Sequence, residues 1–370
     1  MLDKKFNKIN KILAVAPMME WTDRHCRSFH RILSKHAHLY TEMINTGAII
    51  YGDAHRHLDF DLSEHYVVLQ LGGSDPLDLA KAALKAQEWG YDQIDLNCGC
   101  PSERVQKGAF GACLMAEPDL VADCVKAMKD VVSIPISVKH RLGLNEMDLD
   151  LKKDYQFTLD FMSKVSEAGA SQLTIHARNA ILKGLSPKEN RTIPTLRYDI
   201  AKQLRIDLKK QFPDVHVLLN GGLDTNQAIV NHWNDFDGFM MGRSAYHMPA
   251  QLLAWDLMIQ TNGEQFGYFL NEQVWHQVNQ QLVQYIQKWF DEVESQKEGS
   301  FYLAAITRHI LGFAHGLSGS RYWRQYLSDH RILEKVRSKE AIANFFESAT
   351  SKLRMFSNSD DVTSLGFLDD

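Results

Sequence analysis

Between Ile12 and Arg243 the chain repeats one pattern eight times: a short apolar run, then a longer segment with apolar residues at helical spacing. The runs are ILAVAPM, LYTEM, VVLQLGG, QIDLN, PISVKHR, QLTIHAR, HVLLNGG and GFMMGR. Each has strand length, and each gathers its unusual residues toward its carboxyl end: Pro17 and Met18, Glu42, Gln70, Asn97, Lys139 and Arg141, His176 and Arg178, Asn220, Gly242 and Arg243. Residues 75–90, 117–132 and 154–169 read as helices between runs, with Asp75 and Pro76 in N-cap order and Gly90 and Gly169 where a helix ends. Eight strand-then-helix units predict a (β/α)8 TIM barrel over residues 1–265, in preference to an open doubly wound sheet. In that fold the carboxyl ends of the strands share one mouth, so the polar residues ending these runs converge there.

Beyond residue 265 the alternation stops and helical spacing takes over, which predicts a four- or five-helix domain over 266–356. The polar tail 357–370 is expected to be disordered. A chain of 370 residues with 45% hydrophobic content can bury a large core. The apolar run in MLDKKFNKINKILAVAP is too short to span a bilayer, so the expectation is a mature cytoplasmic N-terminus and no membrane partner. Five cysteines without framework spacing point to reduced thiols. A net charge of −5 speaks against a generally basic nucleic-acid binder, so any RNA surface must be local. Residues 300–340 are the candidate, with seven Lys or Arg against three acids.

Three constellations carry chemistry. The stretch 96–115, LNCGCPSERVQKGAFGACLM, is too long for a simple strand-to-helix connection and presents a thiol, Cys113. Asn220-Gly221-Gly222 and Gly242-Arg243 end the seventh and eighth runs, where barrels of this class form a phosphate site; glycine lets backbone N–H groups approach an anion, and arginine adds a fork of donors. Lys139 and His176 are isolated polar residues in apolar surroundings, a placement that is expensive without a partner. Cys98 and Cys100 form a C-x-C pair, but no second pair or nearby His completes a tetrahedral set, so no metal site is expected. Cys26 and Cys124 lie on helical segments and read as packing residues.

Taken together, APMMEWTDRHCR, YTEMINTGAII, LQLGGSDP, LNCGCPSERVQKGAFGACLM, VKHRLG, IHARNAILKGLSPKENR, NGG and GR resemble the tRNA-dihydrouridine synthases, most closely their bacterial A-type subfamily, over about residues 11–330. The resemblance implies an FMN-containing barrel and a helical domain, with NADPH as reductant and tRNA as substrate. Uridines of the D-loop, at positions 20 and 20a, would become dihydrouridine. It implies that Asn220, Gly221, Gly222, Gly242 and Arg243 hold the FMN phosphate, and that Pro17, Met18, Met19, Gln70, Lys139 and His176 contact the flavin. Cys113 falls on the family's general acid. Lys188, Glu189, Asn190 and Arg191 match the A-type segment that touches tRNA, Phe110 lies on the RNA side, and Asn97 and Arg178 are placed to hydrogen-bond the uracil edge. Arg321 and Arg324, interleaved with Tyr322 and Trp323, match tRNA-contacting arginines. Cys98 and His140 depart from the family pattern at positions that affect local packing only. No protein partner is implied. The barrel and phosphate site alone leave open a flavin reductase of a free pyrimidine, which has no use for the basic helical segment. A non-catalytic RNA-binding barrel would need none of Cys113, Lys139 and His176.

Overall fold

The computed structural model describes residues 11–102, 108, 110–295 and 301–355; the expected tail 357–370 and part of the 96–115 loop lie outside the described residues. Eight strands, β1 (Ile12–Val15), β2 (His38–Asn45), β3 (Val67–Gly72), β4 (Gln93–Cys98), β5 (Ile136–Arg141), β6 (Gln172–His176), β7 (His216–Asn220) and β8 (Gly238–Met241), pair in parallel in chain order and close on themselves. β8 returns to β1 in the register Ile12↔Gly238 to Val15↔Met241. The (β/α)8 barrel and the helices after it are therefore as expected.

Helix limits follow the caps. The helix Pro76–Trp89 starts where the Asp75 carboxylate accepts from Asp78 N, carries Pro76 in its first turn, and stops at Gly90 in the left-handed region, φ 100°. Helices Pro118–Val131 and Lys152–Glu167 fill the next two expected segments.

Because helices cover the outside of a parallel barrel, a strand can be buried on both faces. Every residue of β3 and β4 is buried, including Gln70, Asp95 and Asn97. Paired residues of parallel strands project to the same face, and the registers Gln70↔Asp95, Asp95↔Ser137, Asn97↔Lys139 and Lys139↔Thr174 put these polar residues on one face. The apolar share of that face is a small cluster of Ala14, Ala16, Tyr40, Val68, Leu218 and Met240.

The chain divides into two compact units. The first comprises residues 1–20, 38–224 and 228–242 and holds all eight strands. The second comprises 21–37, 225–227 and 243–370, so the expected boundary at 265/266 falls inside it. The reason lies in the packing of helix Arg24–Leu33, which follows β1 in sequence. Its Phe29 meets Phe313 edge-on at 5.5 Å, its His25 Nδ1 lies 2.7 Å from the Tyr285 hydroxyl, and its cap Asp23 accepts from His309. Trp275, stacked on Phe313 at 4.8 Å, extends this aromatic core. Five helices follow residue 265 among the described residues: Glu272–Ser295, Ala304–Thr307, Ser320–Ser328, His330–Leu333 and Lys339–Thr350.

Candidate active site

Two expected residues, Gln70 on β3 and Asn97 near the carboxyl end of β4, form a connected layer with Asp95 in mid-β4 and Ser137 on β5, to which the sequence assigns no role. Gln70 Nε2 donates to Asp95 at 2.8 Å, Ser137 Oγ donates to the other Asp95 oxygen at 2.7 Å, and Asn97 Nδ2 donates to Gln70 Oε1 at 2.9 Å. Asn97 Oδ1 in turn accepts from Gly99 N and Cys100 N, which turns the chain sharply after β4. Asn97 and Lys139 are direct partners in the β4–β5 ladder. The Lys139 ammonium has no hydrogen bond or ion pair among the described residues, and burial, reinforced by Arg141, pushes its pKa down to about 8. His176 pairs with Asn220 across β6–β7, and burial together with Arg141, Lys139, Arg178 and Arg191 holds it well below the usual imidazole range, hence neutral.

The turn after β7 is shaped for close approach. Gly221 and Gly222 have φ of 98° and 68°, and a Cβ on Gly221 would stand 2.3 Å from His176 Cδ2, one on Gly222 2.5 Å from Leu196 Cδ1. The Tyr198 hydroxyl donates to the Gly221 carbonyl at 2.8 Å, and Asn220 Nδ2 donates to the Met240 carbonyl at 2.7 Å. Asn220 thereby braces β7 against β8. A Cβ on Gly242 would meet only the Ala16 methyl, at 3.9 Å, and Arg243 opens the helix Arg243–His247. Pro17 and Met18 follow the end of β1 half-buried, whereas Met19 is 58% exposed.

Cys113 sits in the 3-10 turn Gly111–Ala116, which is tied back to the end of β4 by Ala112 N donating to the Cys100 carbonyl at 2.9 Å. Its thiol donates to the Phe110 carbonyl at 3.2 Å, and partial burial raises its pKa, so the group is protonated at neutral pH. The Phe110 ring and the Met43 sulfur both lie against Gly72, where a Cβ would meet them at 2.9 and 3.0 Å. Cys98 is buried and Cys100 half-buried, and no group of three or more metal-ligating side chains occurs among the described residues. Cys26 and Cys124 are buried on helices.

The segment after β6 separates its residues into two kinds. Lys188, Glu189 and Arg191 are exposed. Asn190 is 0% exposed: Nδ2 donates to the carbonyls of Ile181, Leu185 and Ser186, and Oδ1 accepts from Ile181 N. The side-chain polar atoms of Asn190, a residue expected to touch RNA, are engaged in shaping the segment. Glu189 is partly engaged as well, accepting from the Ser186 backbone and hydroxyl. One Arg178 amine donates to the Pro194 carbonyl. Arg141, a residue to which the sequence assigns no role, is buried and joins two loops, donating to the Gly99 carbonyl at 3.0 Å and to the Asn190 carbonyl at 2.8 Å. Its position at a strand end beside Lys139 was the available signal.

In the second unit, Arg321 and Arg324 project exposed from helix Ser320–Ser328 and have no side-chain partner among the described residues. Of the five other cations of the basic stretch, four are occupied and Lys335 is exposed: Arg308 pairs with Asp23, Arg331 with Asp329, Lys339 with Asp291, and Arg337 donates to the carbonyls of Glu334 and Phe301. Trp323 is core, 1% exposed, with its indole N–H on the Ile310 carbonyl and its ring edge-on to Trp275, so the expected aromatic interleaving reduces to half-buried Tyr322.

Comparison with known proteins agrees with the earlier resemblance. The dihydrouridine synthase (Dus) family model matches residues 14–350. A tRNA-dihydrouridine(20/20a) synthase of Pseudomonas putida is 50% identical over 315 residues, covering 85% of this chain and 87% of that protein. Enzymes of the same name from Pseudomonas aeruginosa and Vibrio parahaemolyticus are 49% and 48% identical, each over 86% of this chain and over 90% and 91% of their own. No helix among the described residues is long and apolar enough to cross a membrane.

Proposed function

The chain belongs to the dihydrouridine synthase family, FMN-dependent oxidoreductases acting on tRNA uridines, and on that premise we propose that it reduces D-loop uridines 20 and 20a to dihydrouridine in the cytoplasm with NADPH as reductant. The observation that carries this reading is the pairing of a protonated thiol, Cys113, on a turn anchored to β4, with a half-buried cation, Lys139, on the neighbouring strand that has no hydrogen bond or ion pair among the described residues. A proton donor and a charge waiting for an anion are what addition of hydride and proton across a uracil double bond requires.

The residues fit FMN. Gly221 and Gly222 leave no room for side chains, being packed on His176 and Leu196, and Asn220, Gly221, Gly222, Gly242 and Arg243 are read as the phosphate motif. Gln70, Lys139, His176 and the Pro17-Met18-Met19 segment would hold the ring. When bound there, FMN would supply hydride chemistry for the uracil double bond, with NADPH as its reductant. Lys139 favours negative charge on its neighbour, and neutral His176 adds no competing charge. Cys113 gives its proton to a carbon of that double bond, and the thiolate is reprotonated from solvent. Asn97 and Arg178 would orient the uracil. Phe110, Lys188, Glu189 and Arg191 would meet RNA at the mouth, and Arg321 and Arg324 would meet phosphates. The substrate base must leave its stack to reach a ring at a barrel mouth.

The test is NADPH-dependent turnover with unmodified tRNA transcript, with native tRNA lacking dihydrouridine, and with free uridine. The expected result is dihydrouridine at positions 20 and 20a by mass spectrometry and none from free uridine. Turnover of free pyrimidine without tRNA turnover would move the protein to the small-molecule reductases.

A further inference from the structure

One group beneath the mouth has no part in the reaction as written. Asp95 on β4 is 0% exposed, and neither hydride nor proton transfer calls for a carboxylate there. A buried carboxylate is costly unless its oxygens are satisfied, and both are, by Gln70 Nε2 at 2.8 Å and Ser137 Oγ at 2.7 Å. Both donors are neutral, so the group has been given dipoles rather than a salt bridge.

An ionised carboxylate only accepts hydrogen bonds, and this has consequences two residues away. Gln70 must turn its NH2 toward Asp95, which points its oxygen at Asn97. Asn97 must then offer its NH2 to Gln70, at 2.9 Å, and its oxygen to the backbone N–H groups of Gly99 and Cys100, at 3.1 and 3.0 Å. Those two N–H groups demand an oxygen independently, so the direction of the chain is set alike from both ends. The relay finishes on the turn whose Cys100 carbonyl accepts from Ala112 N, the residue before Cys113. With Asn97 Oδ1 already accepting twice, the only capacity its amide retains is one N–H donor.

We propose that Asp95 is a positioning residue: as a carboxylate it fixes the Gln70 end of the amide relay, while the Gly99 and Cys100 N–H groups fix the Asn97 end, so that Gln70 presents a defined amide to the flavin and braces the Asn97 donor, suited to a carbonyl of the uracil. The inference rests on the reading that FMN and uridine share this mouth. Protonation of Asp95 would turn an acceptor into a donor and release the constraint. Burial lifts its pKa to about 6, against the opposing effects of the Gln70 and Ser137 bonds and of Lys139. The other titratable groups facing it are Tyr40 on β2 and Cys98 on β4, both pushed upward by burial and neutral in that range, and Lys139 on β5, which titrates near pH 8. The FMN phosphate ionises in the same range, so the inflection that belongs to Asp95 is the one that Asp95→Asn abolishes.

The experiment compares FMN-loaded wild type, Asp95→Asn and Ser137→Ala between pH 5 and 8, reading the visible spectrum of bound flavin, the FMN dissociation constant and tRNA turnover. Wild type is expected to show a spectral and kinetic inflection near pH 6. Asp95→Asn, which keeps the volume but removes the obligatory acceptor at the Gln70 end, should lack the inflection and lose about 10-fold in tRNA turnover at pH 8. Ser137→Ala keeps the carboxylate but removes a donor, so its inflection should move to higher pH; this variant carries the test if Asp95→Asn does not fold. A wild type that binds FMN without an inflection, or an Asp95→Asn enzyme with wild-type spectrum and turnover, overturns the inference alone. A wild type that takes up no FMN overturns the functional reading with it.

Discussion

At the scale of single residues, burial sets the protonation states of Cys113, Asp95, Lys139 and His176. The Cys113 thiol is pushed upward in pKa and donates to the Phe110 carbonyl, the opposite of the activation a nucleophilic cysteine needs. Cys113→Ala is therefore expected to retain FMN and its reduction by NADPH while losing about 100-fold or more in uridine reduction, the scale of a lost general acid. Rapid-mixing flavin bleaching and single-turnover assays with tRNA would check both halves, and unimpaired tRNA turnover would remove the thiol from the reaction. Asp95 makes a stability prediction of its own. Its folded pKa is raised from 3.8 to about 6, so its contribution is most favourable below about pH 4 and is lost as pH climbs through 6. That rise corresponds to roughly 3 kcal/mol. Asp95→Asn should accordingly be more stable than wild type at pH 8, by up to about 3 kcal/mol, with the gain gone at pH 4. Urea unfolding of the apoprotein at the two pH values measures it, and an equal difference at both would mean that the carboxylate is not the cause.

At the scale of elements, the β-strand ends deliver side chains and the turns after them deliver backbone. The turn after β7 is the clearest case: Gly221 combines a positive φ of 98° with a Cβ position already filled by the His176 ring. Gly221→Ala should be destabilised by roughly 1–3 kcal/mol through backbone strain alone. It should also displace His176 and weaken FMN binding. A variant with unchanged melting temperature and flavin affinity would show that this turn has no part in the FMN site. Arg243→Ala is milder, since it deletes one charge-assisted contact and leaves Gln70 and Lys139 in place. Its FMN dissociation constant should rise, as read by flavin retained after dialysis, and full retention would place the phosphate elsewhere.

At the scale of the whole molecule, an acidic chain of net charge −5 binds a polyanion only through local surfaces. Within the basic stretch the ion pairs formed by Arg308, Arg331 and Lys339 leave Arg321 and Arg324 as exposed arginines with no partner among the described residues. Their double replacement by Ala should weaken tRNA binding and reduce the slope of log K against log salt by about one to two, at roughly 0.7 to 0.9 per phosphate. Flavin reduction by NADPH should not change. A salt titration with an unaltered slope would return both arginines to an ordinary solvated face.

Much of this was legible in the chain itself, because periodicity and turn chemistry are local. Eight apolar runs alternating with helical segments could hardly close other than as a barrel, and Asp75, Pro76 and Gly90 delimit a helix by their own side chains and backbone freedom. The placement of Gln70, Lys139, His176 and Asn220 at strand ends followed from the same pattern. What the chain left open depended on neighbours distant in sequence. The alternation Gln93, Asp95, Asn97 is that of a strand with one face in water, yet all of β4 is buried, and only pairing with β3 and β5 turns those residues into an internal relay. Likewise the interleaving of Tyr322 and Trp323 with the arginines does not tell that Trp323 is core, which is decided by Ile310 and by Trp275 on another helix. Burial is a property of the assembled fold, and it decided which polar residues face a ligand and which hold the framework.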